Sequence, residues 1–200
     1  MIALGCDEIV LGLHSELGPI DPQIPVPTPG GWRYSPAIAI LRDFQRAKQE
    51  IADDVKALPV WTPILHAYAG GLLEFCTQQI HLSTDIVAGW LYQYMLQNDD
   101  SGVGHRSRKR VANKIADYFG SEKSYDRFRS HGRPIRIEEL KSIRGLRVRV
   151  LEDDQDLQDT VLSIYHGLDL TFNGPAIKIV ENHLGSRYVR LRRQFLIREP

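Results

Sequence analysis

The sequence has few cysteines and no net charge, and each of these features excludes a class of protein. It contains two cysteines, Cys6 and Cys76, which are too few and too far apart for a disulfide framework or a thiolate metal site. We expect two buried thiols in a reducing compartment. Lys and Arg number 25, and so do Asp and Glu. The balance gives no general attraction to nucleic acid or to an anionic membrane.

A long apolar run is also missing, so the sequence predicts no membrane span. The longest apolar region, residues 60–96, is interrupted by His66, Glu74, His81 and Asp85, whereas a span needs about 20 mostly apolar residues. The start, MIALGCDEIVLG, has acids at positions 7 and 8 and no basic segment, unlike a secretory signal. We therefore expect a cytoplasmic protein, and its length suits a single domain over 1–200.

Hydrophobic periodicity predicts a mostly helical chain with a few short strands and a C-terminal hairpin. The runs at 8–12 and 146–151 favour strands, and 176–193 alternates on both sides of a turn, as a hairpin does. The predicted helices are 35–58, capped by Ser35 and stopped by Pro59; 62–96, with breaks near Gly70 and Ser83; 108–119; a short helix from Ile137; and 153–172.

Proline marks the segment between the first strand and the first helix. Six of the eleven prolines fall between Pro19 and Pro36. Each proline fixes φ and disfavours a helix before it, so we predict a rigid extended loop here. The polar stretch that follows the helix at 108–119 and ends at Pro134 is predicted as a second loop.

The stretch ALGCDEIVLGLHSELGPIDPQ, residues 3–23, resembles the serine dehydrogenase proteinases, relatives of ClpP and SppA among the ClpP/crotonase-like serine proteases. SHGRPIRIEELKSI and KIVENHLG look similar to later parts of that family. The resemblance implies an α/β chain with a partial ClpP/crotonase-like fold. It further implies the C-terminal portion of such a fold, without its N-terminal strands.

The same resemblance implies a peptide or protein substrate, cleaved through a serine acyl-enzyme without cofactor or metal. Counted from the family pattern, the nucleophilic serine would precede Met1 by a few residues, so the chain alone is expected to be inactive. The family order of serine, aspartate and histidine makes Asp21 the orienting carboxylate and His131 the base. Their polar atoms should then approach to about 2.6–3.2 Å. Members of the superfamily commonly form homo-oligomers.

Other assignments of the base remain open. His14 lies at the end of the first strand, where active-site loops leave such a sheet. A serine–lysine dyad would use Lys48 or Lys56, with a pKa lowered by burial. Ser15 lies beside His14, but neighbours on an extended chain point to opposite sides, so we expect Ser15 to stabilise the loop.

Structural roles would also explain the two chosen residues. Asp21, between Ile20 and Pro22, suits a turn cap, and His131 suits a solvated loop. Two further functions follow from such alternatives: a Clp-like scaffold that has lost catalysis, and, less favoured, a nucleic-acid-associated module. The second depends on arginine runs such as HRSRKR at 105–110, which would contact phosphates but also suit a solvated face.

Overall fold

The structure is a computed structural model that describes residues 1–28, 30–97 and 102–192. Over these ranges the protein is mixed α/β, mostly helical with a few short strands, as the sequence predicts. No helix within them has both the length and the apolar character that a membrane crossing requires.

The chain divides into two compact units, Met1–Val150 and Leu151–Pro200, and the single domain over 1–200 stays a prediction. The helices are α1 (Ala37–Asp53), α2 (Leu58–His66), α3 (Leu72–Gln93), α4 (Arg108–Gly120), α5 (Glu122–Phe128), α6 (Ile137–Lys141) and α7 (Gln155–Phe172). The strands are β1 (Ile9–Leu11), β2 (Gln23–Thr28), β3 (Gly31–Pro36), β4 (Val148–Val150), β5 (Ala176–Glu181) and β6 (Arg187–Leu191).

The two strands predicted at 8–12 and 146–151 form a parallel pair in the first unit. Ile9 of β1 is opposite Val148 of β4, and Leu11 is opposite Val150. Ile9 and Leu11 are buried, as expected for a short apolar run that contributes to a core. The loop after β1 therefore starts from a fixed point inside the unit.

The proline-rich segment is a hairpin, so the prediction of a loop there is wrong. Strands β2 and β3 pair antiparallel, with Pro25 opposite Tyr34 and Pro27 opposite Trp32. The two prolines are spaced by two, so both missing N–H groups fall on the same edge of the strand. That edge is the one that need not donate to β3. The pairing is therefore compatible with the prolines.

Three predictions about the helices need correction. Helix α1 ends at Asp53, because Asp54 is extended and its carboxylate accepts a hydrogen bond from the Lys56 N–H of the next 3-10 turn. Pro59 lies in the first turn of α2, where no N–H is needed. Ser35 makes no cap to α1. The predicted break near Gly70 separates α2 from α3, but α3 continues without a break through Ser83.

The predicted loop before Pro134 also contains a helix, α5. Ser121 accepts a hydrogen bond from the N–H of Ser124 and so caps its start. Phe128 is buried, which holds the helix against the core. The helices predicted at 108–119 and from Ile137 are confirmed as α4 and α6.

The core of the first unit is built around α3 and α4. A large apolar cluster includes Leu91, Ile115 and Phe119, and a smaller one packs the β2–β3 hairpin onto α1 and α3. Cys76 belongs to the smaller cluster and is buried, as predicted, whereas Cys6 is exposed. The prediction of a buried thiol is wrong for Cys6 because the residue follows a 3-10 turn near the surface.

The second unit consists of α7 and the β5–β6 hairpin, both as predicted. Asp154 caps α7 by accepting a hydrogen bond from the N–H of Leu157. In the hairpin, Ile179 is opposite Val189 and the turn spans 182–186. Its apolar residues are mostly exposed.

Candidate functional site

The loop that carries Asp21 is held on both sides of that residue. The N–H of Ile20 donates to the carbonyl of Phe119 near the end of α4, at 2.9 Å. The N–H of Ala37, the first residue of α1, donates to the carbonyl of Pro22, also at 2.9 Å. These bonds and the fixed φ of proline leave the backbone at Asp21 little freedom.

A close contact between two helices determines how near the Asp21 loop lies to them. A Cβ added at Gly120 would lie 2.9 Å from Cγ2 of Thr84 on α3 and 3.4 Å from Cβ of Ile20. Glycine therefore allows α3, the end of α4 and the Asp21 loop to approach one another.

One backbone bridge joins the Asp21 loop to the segment that carries His131. The N–H of Leu17 donates to the carbonyl of Ile135 at 3.0 Å, and the N–H of Ile135 donates back at 2.8 Å. Ile135 is fully buried, so the bridge is anchored in the core. It brings together two segments that are far apart in the sequence.

The structure places Asp21 and His131 in contact. Nδ1 of His131 lies 3.5 Å from Oδ2 of Asp21, and the side chains are 8% and 57% exposed, Asp21 being the buried one. The distance is slightly longer than the 2.6–3.2 Å expected for a working pair, and such contacts are often looser before a substrate binds.

The surroundings of Asp21 act on its charge in opposite directions. Burial raises the pKa of Asp21 above its usual value, while the charge and hydrogen bond of His131 and a hydrogen bond from Gln23 lower it. Nε2 of Gln23 donates to Oδ2 at 3.0 Å. Oδ1 is buried and has no hydrogen-bond partner in the described part of the chain. Oδ2 therefore holds both side-chain contacts of this carboxylate, with His131 and with Gln23.

Both residues line a cavity of about 360 Å³. Its wall also includes Met1 and, from α3, Leu82, Ser83 and Ile86. The Ser83 hydroxyl donates to the carbonyl of Ile80 within its own helix, at 2.9 Å. Apart from Asp21, His131 and Gln79, the wall is mostly apolar. The cavity is large enough for part of a small molecule or one peptide side chain.

The other candidate bases lie elsewhere. His14 and Ser15 are exposed in a turn after β1, where the Ser15 N–H donates to the carbonyl of Gly12. Lys48 and Lys56 are exposed on α1 and on the 3-10 turn after it. Of the residues that the structure describes, none of these four lines the cavity.

Sequence reasoning missed two residues of the site. Gln23 could have been predicted, because it follows Asp21 by two residues and a side-chain amide at that spacing can donate to the carboxylate. Ser83 gave no such signal, because a break in the helix was expected there.

Within the described ranges, no group of three or more His, Cys, Asp or Glu side chains is placed to hold a metal ion. No protein-family model matches the chain, and no curated protein or solved structure matches it. The function must therefore be argued from the geometry of the site.

Proposed function

We propose that the chain is part of a serine protease with a partial ClpP/crotonase-like fold, in which Asp21 orients His131 and His131 is the base. The observation that carries the proposal is the 3.5 Å contact between a buried carboxylate and an exposed imidazole at the edge of a cavity. The resemblance over residues 3–23 supports the same assignment. In this proposal the nucleophilic serine lies outside the 200 residues.

The two residues differ in burial in the way that their proposed roles require. An orienting carboxylate should be fixed and shielded, and the loop of Asp21 is anchored at Ile20 and Pro22. The base must reach the substrate, and His131 is exposed towards solvent. With Nδ1 directed at Asp21, Nε2 is the nitrogen that would take a proton.

The proposed reaction is ordinary acyl transfer. The serine oxygen attacks the peptide carbonyl carbon, and its proton passes to Nε2 of His131. The C–N bond then breaks, and the same proton passes to the leaving amine. Water hydrolyses the acyl-enzyme with His131 again acting as base. Asp21 stays ionised throughout and stabilises the imidazolium.

The rest of the proposal concerns substrate, assembly and location. The apolar wall of the cavity, with Leu82 and Ile86, supports an apolar side chain of a peptide or protein as the group bound. Exposed apolar residues such as Val60 and Phe75 support a homo-oligomer. The two free cysteines support a cytoplasmic location.

The test compares the 200-residue chain with a form extended upstream of the Met1 codon in the same reading frame. The extended form should react with a fluorophosphonate and cleave a casein substrate, whereas the 200-residue chain should do neither. In the extended form, His131→Ala and Asp21→Ala should each lower kcat by about 10³-fold or more. His14→Ala, a matched exposed histidine, should change kcat by less than about twofold.

Three results would contradict the proposal. One is fluorophosphonate labelling of the 200-residue chain itself. Another is a loss of activity in His14→Ala as large as in His131→Ala. The third is an upstream reading frame that encodes the family's segment with another residue in place of the serine, which would favour the scaffold alternative.

A further inference from the structure

A second cavity of about 340 Å³ lies between α4 and the turn that joins α6 to β4. Three cations line it: Arg110 and Lys114 from α4, and Arg144 from the turn. Tyr118 and Ile143 contribute aromatic and apolar surface. The volume is typical of a site for a small molecule, and it is separate from the Asp21–His131 cavity.

The three cations are not neutralised within the described ranges. None of Arg110, Lys114 and Arg144 forms an ion pair with an acid there. Arg110 and Lys114 are four residues apart on one helix face, an arrangement that is destabilising for like charges unless an anion lies between them. The described lining includes no carboxylate.

A carboxylate contacts Tyr118, one of the residues that line the cavity. Glu139 accepts a hydrogen bond from the Tyr118 hydroxyl, and the guanidinium of Arg127 lies 4.3 Å from the centre of the Tyr118 ring. A carboxylate and a cation thus both lie next to Tyr118, while the described lining itself carries three cations and no carboxylate.

The turn that carries Arg144 is fixed against α4. Gly145 has a φ of 90°, and a Cβ there would lie 2.8 Å from Cγ1 of Val111 and 3.2 Å from Cδ2 of Leu96. The turn backbone therefore packs directly on α4. This packing fixes the backbone next to Arg144 against α4, and the exposed side chains of Arg110, Lys114 and Arg144 line one cavity.

We propose that this cavity binds a small organic phosphate. Two guanidinium groups and an ammonium group suit the geometry of phosphate oxygens, and a dianion balances them better than a monocarboxylate does. The organic part of the ligand lies on Tyr118 and Ile143, and its burial adds to the affinity. The site is independent of the proposed proteolysis.

Isothermal titration of the 200-residue chain at low salt tests this site with three probes. Phenyl phosphate should bind more tightly than inorganic phosphate, because only the former covers the apolar wall. Benzoate, which has the same ring and one charge, should bind most weakly. Arg110→Gln, Lys114→Gln and Arg144→Gln should each weaken phenyl phosphate binding by about tenfold. Lys109→Gln should change it by less than about twofold, since that exposed cation of the same basic run does not line the cavity.

The proposal is overturned if phenyl phosphate shows no saturable binding, or if Lys109→Gln weakens binding as much as the three lining variants. It is also overturned if a DNA oligonucleotide binds through the three cations while phenyl phosphate does not. Circular dichroism and thermal melting of each variant ensure that lost binding is not lost folding.

Discussion

Helices α4 and α7 are both regular and amphipathic, but they lie in different units and differ greatly in what they bury. Helix α4, in Met1–Val150, buries Val111, Ile115 and Phe119. Helix α7, in Leu151–Pro200, leaves Tyr165 and Leu168 exposed, and none of its residues is buried. A regular helix therefore does not by itself hold the residues of a functional site in place. The candidate site lies in the first unit, where buried residues hold its loops.

The largest expected effect comes from a matched pair of phenylalanines, one in each helix. Phe119→Ala should lower the free energy of unfolding by about 3–5 kcal/mol, because Phe119 is fully buried in the core. Phe172→Ala, at the end of α7, should cost less than about 1 kcal/mol, because Phe172 is exposed. Urea denaturation followed by circular dichroism measures both. Equal losses would show that the second unit has a core comparable to the first.

A matched pair of glycines should give effects of opposite sign. Gly120→Ala should lower the free energy of unfolding by about 1–3 kcal/mol, because its Cβ would press on Thr84, whose hydroxyl is bonded to its own helix. Gly167→Ala, which has nothing within 4 Å, should raise it by about 0.5–1 kcal/mol. The same denaturation experiment applies. A stabilising Gly120→Ala would mean that the contact at the Asp21 loop is not tight.

The smallest effect concerns pH. Because burial raises the pKa of Asp21, the folded protein favours the protonated carboxyl and loses stability as pH rises through that pKa. Asp21→Asn has no such ionisation. Its stability relative to the wild type should therefore increase from about pH 3 to about pH 7, as measured by urea denaturation across that range.

Asp126→Asn is the control for that pH dependence. The hydrogen bond from Arg42 lowers the pKa of Asp126, so the wild type gains stability as that carboxyl ionises and loses it as pH falls through the lowered pKa. The stability of Asp126→Asn relative to the wild type should thus fall over the same range. If the stability of both variants relative to the wild type changed in the same direction with pH, the assigned directions of the two pKa shifts would be wrong.

The parts of the fold that the sequence predicted are those with a strong local pattern. Strands β1 and β4 and the β5–β6 hairpin follow from short apolar or alternating runs, and α4 from its periodicity. The β2–β3 hairpin was missed because prolines argue against a strand until the partner strand is known. Helix α5 was missed because its start depends on the cap at Ser121 and its stability on the burial of Phe128.

The site could be predicted only in part. The choice of Asp21 and His131 came from the resemblance, and the approach of the two side chains depends on the bridge between Leu17 and Ile135, which has no local signal. The close contact at Gly120 is equally non-local. Long-range contacts of this kind decide the geometry of a site. The pattern of residues within one segment does not predict such contacts.

The most direct test of the central claim is the tautomer of His131, read from its ring nitrogens by ¹H–¹⁵N NMR above about pH 8, where a histidine is ordinarily neutral. If Asp21 orients His131, the neutral ring carries its proton on Nδ1, and Asp21→Ala moves it towards Nε2. The His14 ring serves as an internal control and should not change. A wild-type His131 protonated mainly on Nε2, or a tautomer that Asp21→Ala leaves unchanged, would contradict the account.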